Sequence, residues 1–574
     1  MRRAAVIALV AGFVLLVAGG AVANSAPAKI YWGRGATAVL PANAATGTSR
    51  SASVSWVSCP SAGNCGSVGG YVDNAGNVQG LLLTETTGKW AAGVEAVPPA
   101  SSTNVYWNGL SCASAGNCTA IGSYYDDNSH TGGPLVITET AAVWGTGVAP
   151  TLPAPEGGGF SGGSLSAVSC ASAGNCTAVG HYGDGTGNVK GWLLTETDGV
   201  WATGVETPLP ADAGTTGRWV DLNSVSCPSV GNCTAVGDYS DTAVDLQALL
   251  LDETAGIWSA GPESELPANA APTHEYTSGP GVPVLIYSVS CASAGNCTAA
   301  GTYCAVGNCN TTGNASDSRT GKEGVLLSET DGTWARGVEA RLPANAATTS
   351  PVEFLSAISC ASAGNCSAVG DYYDASLHDR LLLLTESGGT WSRGVQGRLP
   401  ANAAVAGHKT YPDYSVVLYS ISCPAAGNCT AAGTYSLRGN EGMRPLLVTE
   451  TAGTWARGFR VLLPRSARGR HQNSLATVSC ASTRNCSAMG SYKTAHGSQG
   501  LLVNGPSLTI LVPAVTGKTL AAAERSIRRN GCSVGRVFYN MEQEPARWRG
   551  RVISQAPKPG SAVRPGTKVR LLVG

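Results

Sequence analysis

The pattern Ser-Cys-x-Ala/Ser-x-x-Asn-Cys is written eight times in this chain, and it constrains the fold more than any other feature. The pairs are Cys59/Cys65, Cys112/Cys118, Cys170/Cys176, Cys227/Cys233, Cys291/Cys297, Cys360/Cys366, Cys423/Cys429 and Cys480/Cys486. Each pair encloses five residues, and successive pairs start 53 to 69 residues apart. A fixed period of this size means one structural unit repeated along the chain. It also orders the search for function. A residue kept in every repeat belongs to the scaffold by default, whereas a reaction centre is built once.

One repeat reads as four short strands. In residues 355–399, Leu355 to Cys360 is apolar and β-prone, and Ala361 to Asn365 has turn chemistry. Cys366 to Tyr372 forms a second alternating run, and Leu381 to Glu386 is a buried-strand run bounded by Gly388 and Gly389. The last strand starts at Thr390 and Trp391 and leads to Leu399-Pro400-Ala401-Asn402. Four strands with no helical stretch predict a propeller blade. Seven hairpins have a downstream Trp: Trp90, Trp144, Trp201, Trp258, Trp334, Trp391 and Trp455. The eighth lacks one and breaks off at Asn504-Gly505-Pro506. Trp32-Gly33-Arg34-Gly35 followed by Leu40-Pro41-Ala42-Asn43 matches the missing strand, so the two ends are predicted to complete one blade and close a ring of eight.

The first residues, Met1-Arg2-Arg3 and an apolar run to Ala23, read as a secretory signal peptide over residues 1–26, with an uncleaved membrane anchor as the rival. The 19 Cys agree with an oxidising compartment. Disulfides are expected for the eight pairs and for Cys304–Cys309 inside the longest repeat. Zinc is the rival, but it wants convergent Cys or His at spacings that are absent here. Cys532 is left over and reads as a small core residue. Net charge is zero, yet residues 508–574 hold 12 Lys/Arg against 3 Asp/Glu. A basic module that meets a polyanion is thus attached to a mildly acidic body.

The pattern changes after Pro506. Val512-Pro513-Ala514-Val515-Thr516-Gly517 reads as strand and turn, Thr519 opens a helix that stops at Gly531, and Val534–Tyr539, Arg551–Ala556 and Thr567–Val573 read as strands. With Val552-Ile553-Ser554-Gln555 running into Pro557-Lys558-Pro559-Gly560, this segment resembles a PASTA domain. That resemblance implies an extracytoplasmic module associated with peptidoglycan. The stretch Ser328-Glu329-Thr330-Asp331-Gly332-Thr333-Trp334 loosely resembles the Asp-box of secreted sialidase-like propellers, although Gly sits one residue closer to Trp and Glu stands near the Asp position. This second likeness implies fold and not activity. The expected organisation is a mainly β chain: residues 27–506 an eight-bladed β-propeller closed by an N-terminal strand, and residues 507–574 a small α+β PASTA-like domain.

Candidate chemistry is sparse. Arg528, Arg529, Arg547, Arg549, Arg551 and Arg570 are the candidate ligand-binding residues, because guanidinium groups pair with carboxylates or phosphates of wall polymers. The kept Glu85, Glu139, Glu196, Glu253, Glu329, Glu386 and Glu450 are expected to be structural. Tyr-x-Asp loops (Tyr71/Asp73, Tyr125/Asp127, Tyr239/Asp241, Tyr373/Asp374) read as polar turns, with calcium or sugar binding as the functional alternative. The Cys304–Lys322 insertion is the main departure from the repeat. No catalytic residues, metal or cofactor are expected. The reading is an exported, non-enzymatic binder at the cell envelope, with peptidoglycan or an anionic wall polymer as partner, a protein or ligand on the propeller face, and no nucleic acid. A sialidase-like glycan hydrolase and a purely structural surface protein are the alternatives.

Overall fold

The structure is a computed structural model that describes residues 32–99, 104–126, 131–153, 162–215, 218–261, 264–271, 284–306, 322–348, 353–404, 416–438, 442–468, 472–505, 510–540, 548–563 and 566–574. The signal-peptide reading over residues 1–26, and Cys309, Asp127 and Arg547, lie outside the described residues. The described residues form two compact units, 32–510 and 511–574.

The larger unit contains eight antiparallel sheets, one per Cys hairpin. Blade 6 is representative. Glu353–Ser362, Asn365–Tyr373, Asp379–Ser387 and Thr390–Trp391 pair in that order, and Val395–Gln396 pairs further along the third strand. The third strand is a continuous apolar run because both its faces are covered. Leu381 and Leu383 pack into the core shared with blade 7, and Leu382 and Leu384 into the core shared with blade 5. The eighth sheet takes its outer strand from the other end of the chain: Ala36–Thr37 pairs with Leu502 and Leu501. The first strands of successive blades touch in cyclic order, blade 8 against blade 1 included, so they surround the axis of a closed ring.

Residues kept in every repeat join blades. The Ser before the first Cys accepts a hydrogen bond from the backbone N–H of the next blade's first Cys. Ser58 serves Cys112, Ser111 serves Cys170, and so on until Ser479 serves Cys59, all at 2.9–3.0 Å.

All eight expected repeat disulfides are present: Cys59–Cys65, Cys112–Cys118, Cys170–Cys176, Cys227–Cys233, Cys291–Cys297, Cys360–Cys366, Cys423–Cys429 and Cys480–Cys486. Each bond lies within one hairpin and pins its register, as the spacing predicts, and the structure adds a second role for the sulfurs. The second Cys of every pair (Cys65, Cys118, Cys176, Cys233, Cys297, Cys366, Cys429 and Cys486) is only 2–6% exposed and belongs to the interior between blades. The physical reason is its place at the start of the second strand, which is covered on both faces. Several of these sulfurs lie against the hydroxyl that follows the second Cys of the preceding blade. Thr119 Oγ1 lies 3.4 Å from Cys176 Sγ, Thr177 Oγ1 3.5 Å from Cys233 Sγ and Thr234 Oγ1 3.2 Å from Cys297 Sγ. Cys486 Sγ faces Thr430 at 3.9 Å, and Cys65 Sγ faces Ser487 at 3.6 Å, across the closure of the ring. Cys429 packs with Val369, Leu381 and Leu383 of blade 6 in the core between blades 6 and 7. The Asn-Cys-Thr sequence is thereby absorbed into packing. Its Asn also holds the Trp hairpin, as Asn117 accepts from the Ala141 N–H.

Every first strand carries a β-bulge at one position, which skips Ser55, Asn108, Ser166, Asn223, Tyr287, Ser356, Tyr419 or Ala476. The bulge drives a first-strand carbonyl into the space where a side chain on the second strand would start. Gly69 and its seven counterparts fit there because they have no Cβ; at Gly370 the atom that fills the space is the Phe354 carbonyl oxygen.

Each disulfide closes a loop with a sequence separation of only six. The chain-entropy account then gives about 2 kcal/mol per staple. The double substitution Cys360→Ser/Cys366→Ser is expected to lower stability by about that amount in urea unfolding, without changing the strand content seen by circular dichroism. A loss several times larger would show that the sulfur packing between blades dominates the loop closure.

In the smaller unit, the helix Leu520–Arg529 follows Thr519, which is extended but makes no side-chain cap bond, and Gly531 ends it with φ +77°. Ala523 and Ile527 are its buried face. Val569, Leu571 and Val573, the alternate residues of Lys568–Val573, are buried as well. That strand runs parallel to Ser533–Tyr539 and antiparallel to Val552–Ala556. Cys532 is buried, as expected, and burial pushes its thiol up.

Candidate functional site

The Cys pairs singled out in the sequence form no part of a ligand site. Cys65, Cys233, Cys297, Cys429 and Cys486, like their counterparts in the other blades, are buried and tied up in disulfides, so they offer no thiolate to a metal. Their role is to hold the scaffold.

The kept Glu residues are all buried, and three of them bond across blade interfaces. Glu139 accepts from Thr84 of the preceding blade, Glu450 accepts from Thr385 and Ser367, and Glu85 accepts from Asn504, the blade 8 residue at the Thr position. The Trp indoles reach the same groups: Trp144 donates to Thr84 and Trp455 to Thr385, both at 3.1 Å. Burial raises the pKa of all seven Glu. Four kept Tyr hydroxyls, those of Tyr71, Tyr303, Tyr372 and Tyr435, donate to the Asn of the Leu-Pro-Ala-Asn segment one blade back, Tyr372 to Asn345 at 2.9 Å, and Tyr239 donates to Asp212 at the same place.

The described Tyr-x-Asp loops, at Asp73, Asp241 and Asp374, are turns whose Asp oxygens are consumed locally, which leaves them little to offer calcium or a sugar. Asp73 accepts from the N–H groups of Ala75 and Asn77 and from Gln79, and Asp374 accepts from Ser376, His378 and Arg380. Burial pushes Asp73 up, but the hydrogen bonds from Gln79, Asn77 and Ala75 outweigh it and hold the carboxyl low. A cleft of about 590 Å³ between blades 2 and 3 is bordered by repeated residues. Glu196 Oε2 and Trp201 Nε1 at its edge are themselves screened from solvent.

The repeat breaks on the inner strands. The eight bulged positions differ from blade to blade. Three of them bridge to the next blade: Asn108 donates to the Leu165 carbonyl, Asn223 to that of Ile286 and Ser356 to that of Leu418. Tyr287 instead packs on Phe354, with ring centroids 4.8 Å apart, and Tyr419 is half exposed. Trp56, Tyr106 and Trp219 are also substantially exposed on or beside first strands. At the junction of blades 3 and 4, His181 Nδ1 lies 2.8 Å from Asp221 Oδ1, and Trp219 stands beside the imidazole at 6.4 Å between centroids. The bond to Asp221 raises the imidazole pKa. Next to Asp221 on the neighbouring strand is Asp238, which is buried and is pushed up to about 7 by desolvation and by the Asp221 charge.

No sequence motif marks these residues. The signal that finds them is a comparison of the eight repeats column by column. His181 and Asp238 occupy one column with Gly70, Ser123, Thr302, Asp371, Thr434 and Ser491. Asp221 occupies another with Ser53, Tyr106, Ser164, Leu285, Phe354, Val417 and Ser474.

In the smaller unit, the five described candidate Arg are exposed but do not converge. Arg528 and Arg529 end the helix, where Arg528 pairs with Glu524 at 3.5 Å. Arg551 donates to the Gly517 carbonyl at 3.0 Å, Arg549 precedes it, and Arg570 lies on the last strand opposite Ala556. Composition missed what surrounds Arg570. Lys568, Arg570 and Phe538 are exposed on the sheet, and Phe538 pairs with Leu572. The alternation of Lys568 and Arg570 with buried Val569, Leu571 and Val573 places both cations on the opposite face of the strand from these three.

Comparisons with known proteins bear unequally on the two units. YCF48 from Cyanidioschyzon merolae superposes with a TM-score of 0.36 at 12% identity, covering 71% of this chain and 97% of its own. The six-bladed Aleuria aurantia lectin gives 0.30 at 11%, covering 62% and 97%. The subtype N11 neuraminidase-like protein of A/flat-faced bat/Peru/033/2010 gives 0.31 at 12%, covering 64% and 97%. None of the three bears on ligand or activity, and the blade count rests on strand pairing. No curated protein matches the sequence. Residues 510–574 match the family model of the PASTA domain. The chain therefore carries a C-terminal PASTA domain on the same polypeptide as an eight-bladed β-propeller.

Proposed function

We propose that this is an exported, non-enzymatic binding protein of the cell envelope. In this reading residues 1–26 are a signal peptide, the PASTA domain over 507–574 holds peptidoglycan or an anionic wall polymer, and the propeller over 27–506 presents a ligand- or protein-binding face. The observation that carries the reading is the PASTA match, which points to a role in wall binding. The disulfides support an oxidising, extracytoplasmic setting. Among the described residues no helix is long and apolar enough to cross a membrane.

A binder is favoured over a glycan hydrolase by where the single-copy residues fall. The eight first strands carry no Arg or Lys. The most buried acid of the blade 3–4 group, Asp238, is engaged by Asn223 and Trp219 rather than presented to solvent. The seven kept Glu are buried, and Glu85, Glu139 and Glu450 are bonded across blade interfaces.

The test is co-sedimentation of the full chain with purified peptidoglycan, beside a chain ending at residue 507. The full chain is expected in the pellet and the shortened one in the supernatant. Equal sedimentation of both would remove the anchoring role from the PASTA domain.

A further inference from the structure

The eight blades are internal controls for one another. A side chain needed for the fold recurs in its column, and one that appears in a single blade at an accessible place needs another reason. At the blade 3–4 junction three such residues meet: His181, Asp221 and Trp219. Their columns elsewhere hold mostly small or uncharged residues. Ser51, Asn104, Gly162 and Gln472 stand where blade 4 has Trp219, and Ser53, Ser164 and Ser474 where it has Asp221. The group is reachable from solvent. The side chain of His181 is 32% exposed and that of Asp221 23%, and Trp219 is 44% exposed.

We propose that this junction is a binding subsite for an uncharged sugar residue, with Trp219 as the stacking platform and Asp221, positioned by His181, as the acceptor for its hydroxyls. An indole presents a large, rigid apolar face at low entropic cost, which suits the C–H face of a pyranose ring. A carboxylate held in place by an imidazole accepts hydroxyl donors without reorganising, and such charge-assisted bonds are the stronger class. The charge balance selects the sugar. Asp221 and Asp238 lie opposite each other on adjacent strands, and no Arg or Lys stands on any first strand to receive a carboxylate or phosphate. The Asp221 carboxylate repels an anion, so neutral sugars are preferred over acidic ones at this subsite. The inference rests on the binder reading of the propeller, but not on wall anchoring by the PASTA domain.

The experiment is ligand-observed saturation-transfer NMR on the full chain. The panel contains glucose, galactose, mannose and N-acetylglucosamine, with galacturonic acid and N-acetylneuraminic acid as the acidic arm. At least one neutral sugar is expected to show saturable transfer, and neither acidic sugar is. Variants that copy a sister blade, Trp219→Ser and Asp221→Ser, are each expected to weaken the neutral sugar at least tenfold. The Asp221→Ser variant is expected to melt like the parent, because Ser53 and Ser164 stand at its position in blades 1 and 3, whereas Trp219→Ser also removes a partner of the buried Asp238 and is expected to melt somewhat lower. Trp56→Ala is expected to leave this sugar's affinity within twofold. The proposal is overturned by no saturable neutral sugar, by equal binding of an acidic one, or by undiminished binding in both sister-blade variants. Because free sugars are the probes, a negative result here leaves the co-sedimentation result independent.

Discussion

Deleting residues 32–46 is expected to cost the propeller more than any single substitution, because that short segment contacts three blades. Ala36 and Thr37 supply the outer strand of blade 8. Trp32 is buried, at 4% exposure, against Gly505, the residue at the column where other blades carry Glu. Arg34 donates to the Leu463 carbonyl at the end of blade 7. Asn43 donates to Glu95 and accepts from the Tyr71 hydroxyl, both in blade 1. Losing the Trp alone is worth about 3–5 kcal/mol, the usual range for truncating a buried large aromatic residue. The deletion adds a bare edge on Gly497–Gly505 and leaves the Tyr71 hydroxyl with one partner fewer. Urea unfolding followed by tryptophan fluorescence is expected to show a lowered midpoint and a broader transition, and the exposed edge is expected to make the shortened chain associate. Trp32→Ala should reproduce the part due to packing without the edge effect. An unchanged midpoint in the deleted chain would mean that the ring is held closed without this segment.

The blade count and this closure are legible in the sequence because both depend on matching segments, such as Trp32-Gly33-Arg34-Gly35 against Trp334-Ala335-Arg336-Gly337. What the kept residues do is not legible there. In seven of the eight Ser-Cys pairs the Ser acts on a residue 54 to 70 positions away, in the next blade, and Ser479 acts on Cys59 across the closure of the ring; no local pattern encodes that partner. The same holds for the sulfurs: spacing pairs Cys227 with Cys233, but it does not place Cys233 against Thr177 of the preceding blade. The bulge is hidden for a related reason. It leaves the apolar alternation nearly intact, and its trace is the second-strand glycine, one of 75 in the chain. The insertion after Cys304 is the conspicuous break in the sequence, whereas the structure draws attention to ordinary strand positions whose only mark is variation between repeats. Charge counting locates the basic module, but counting cannot say that Arg528 and Arg570 sit on different parts of it.

The second large effect concerns pH, and its sign is opposite to that of most carboxylate-rich proteins. Burial raises the seven kept Glu, and desolvation likewise raises Glu339, Glu353 and Asp238. Glu329 reaches about 7, because the carboxylate of Asp252 adds repulsion to its desolvation. Between the ordinary carboxyl pKa of about 4.3 and these raised values the folded ring binds more protons than the unfolded chain. Stability from these groups is therefore fully present below about pH 4 and is lost as pH climbs through the folded values. Asp73, Asp374 and Glu206 are held low and act in reverse, so their contribution disappears as pH falls below the ordinary carboxyl range. The two sets together place the stability maximum on the acid side of neutrality, near pH 5, with a decline towards pH 8. Urea midpoints measured from pH 4 to pH 8 check this, and a midpoint that rises steadily from pH 5 to pH 8 would contradict it. Glu329→Gln isolates one member. The amide cannot ionise and removes the repulsion with Asp252, so the variant is expected to gain on the order of 1 kcal/mol at pH 8, after discounting for solvent screening. At pH 5, where Glu329 is already protonated, the same substitution is expected to change little. A gain of equal size at both values would place its origin in packing rather than in the proton.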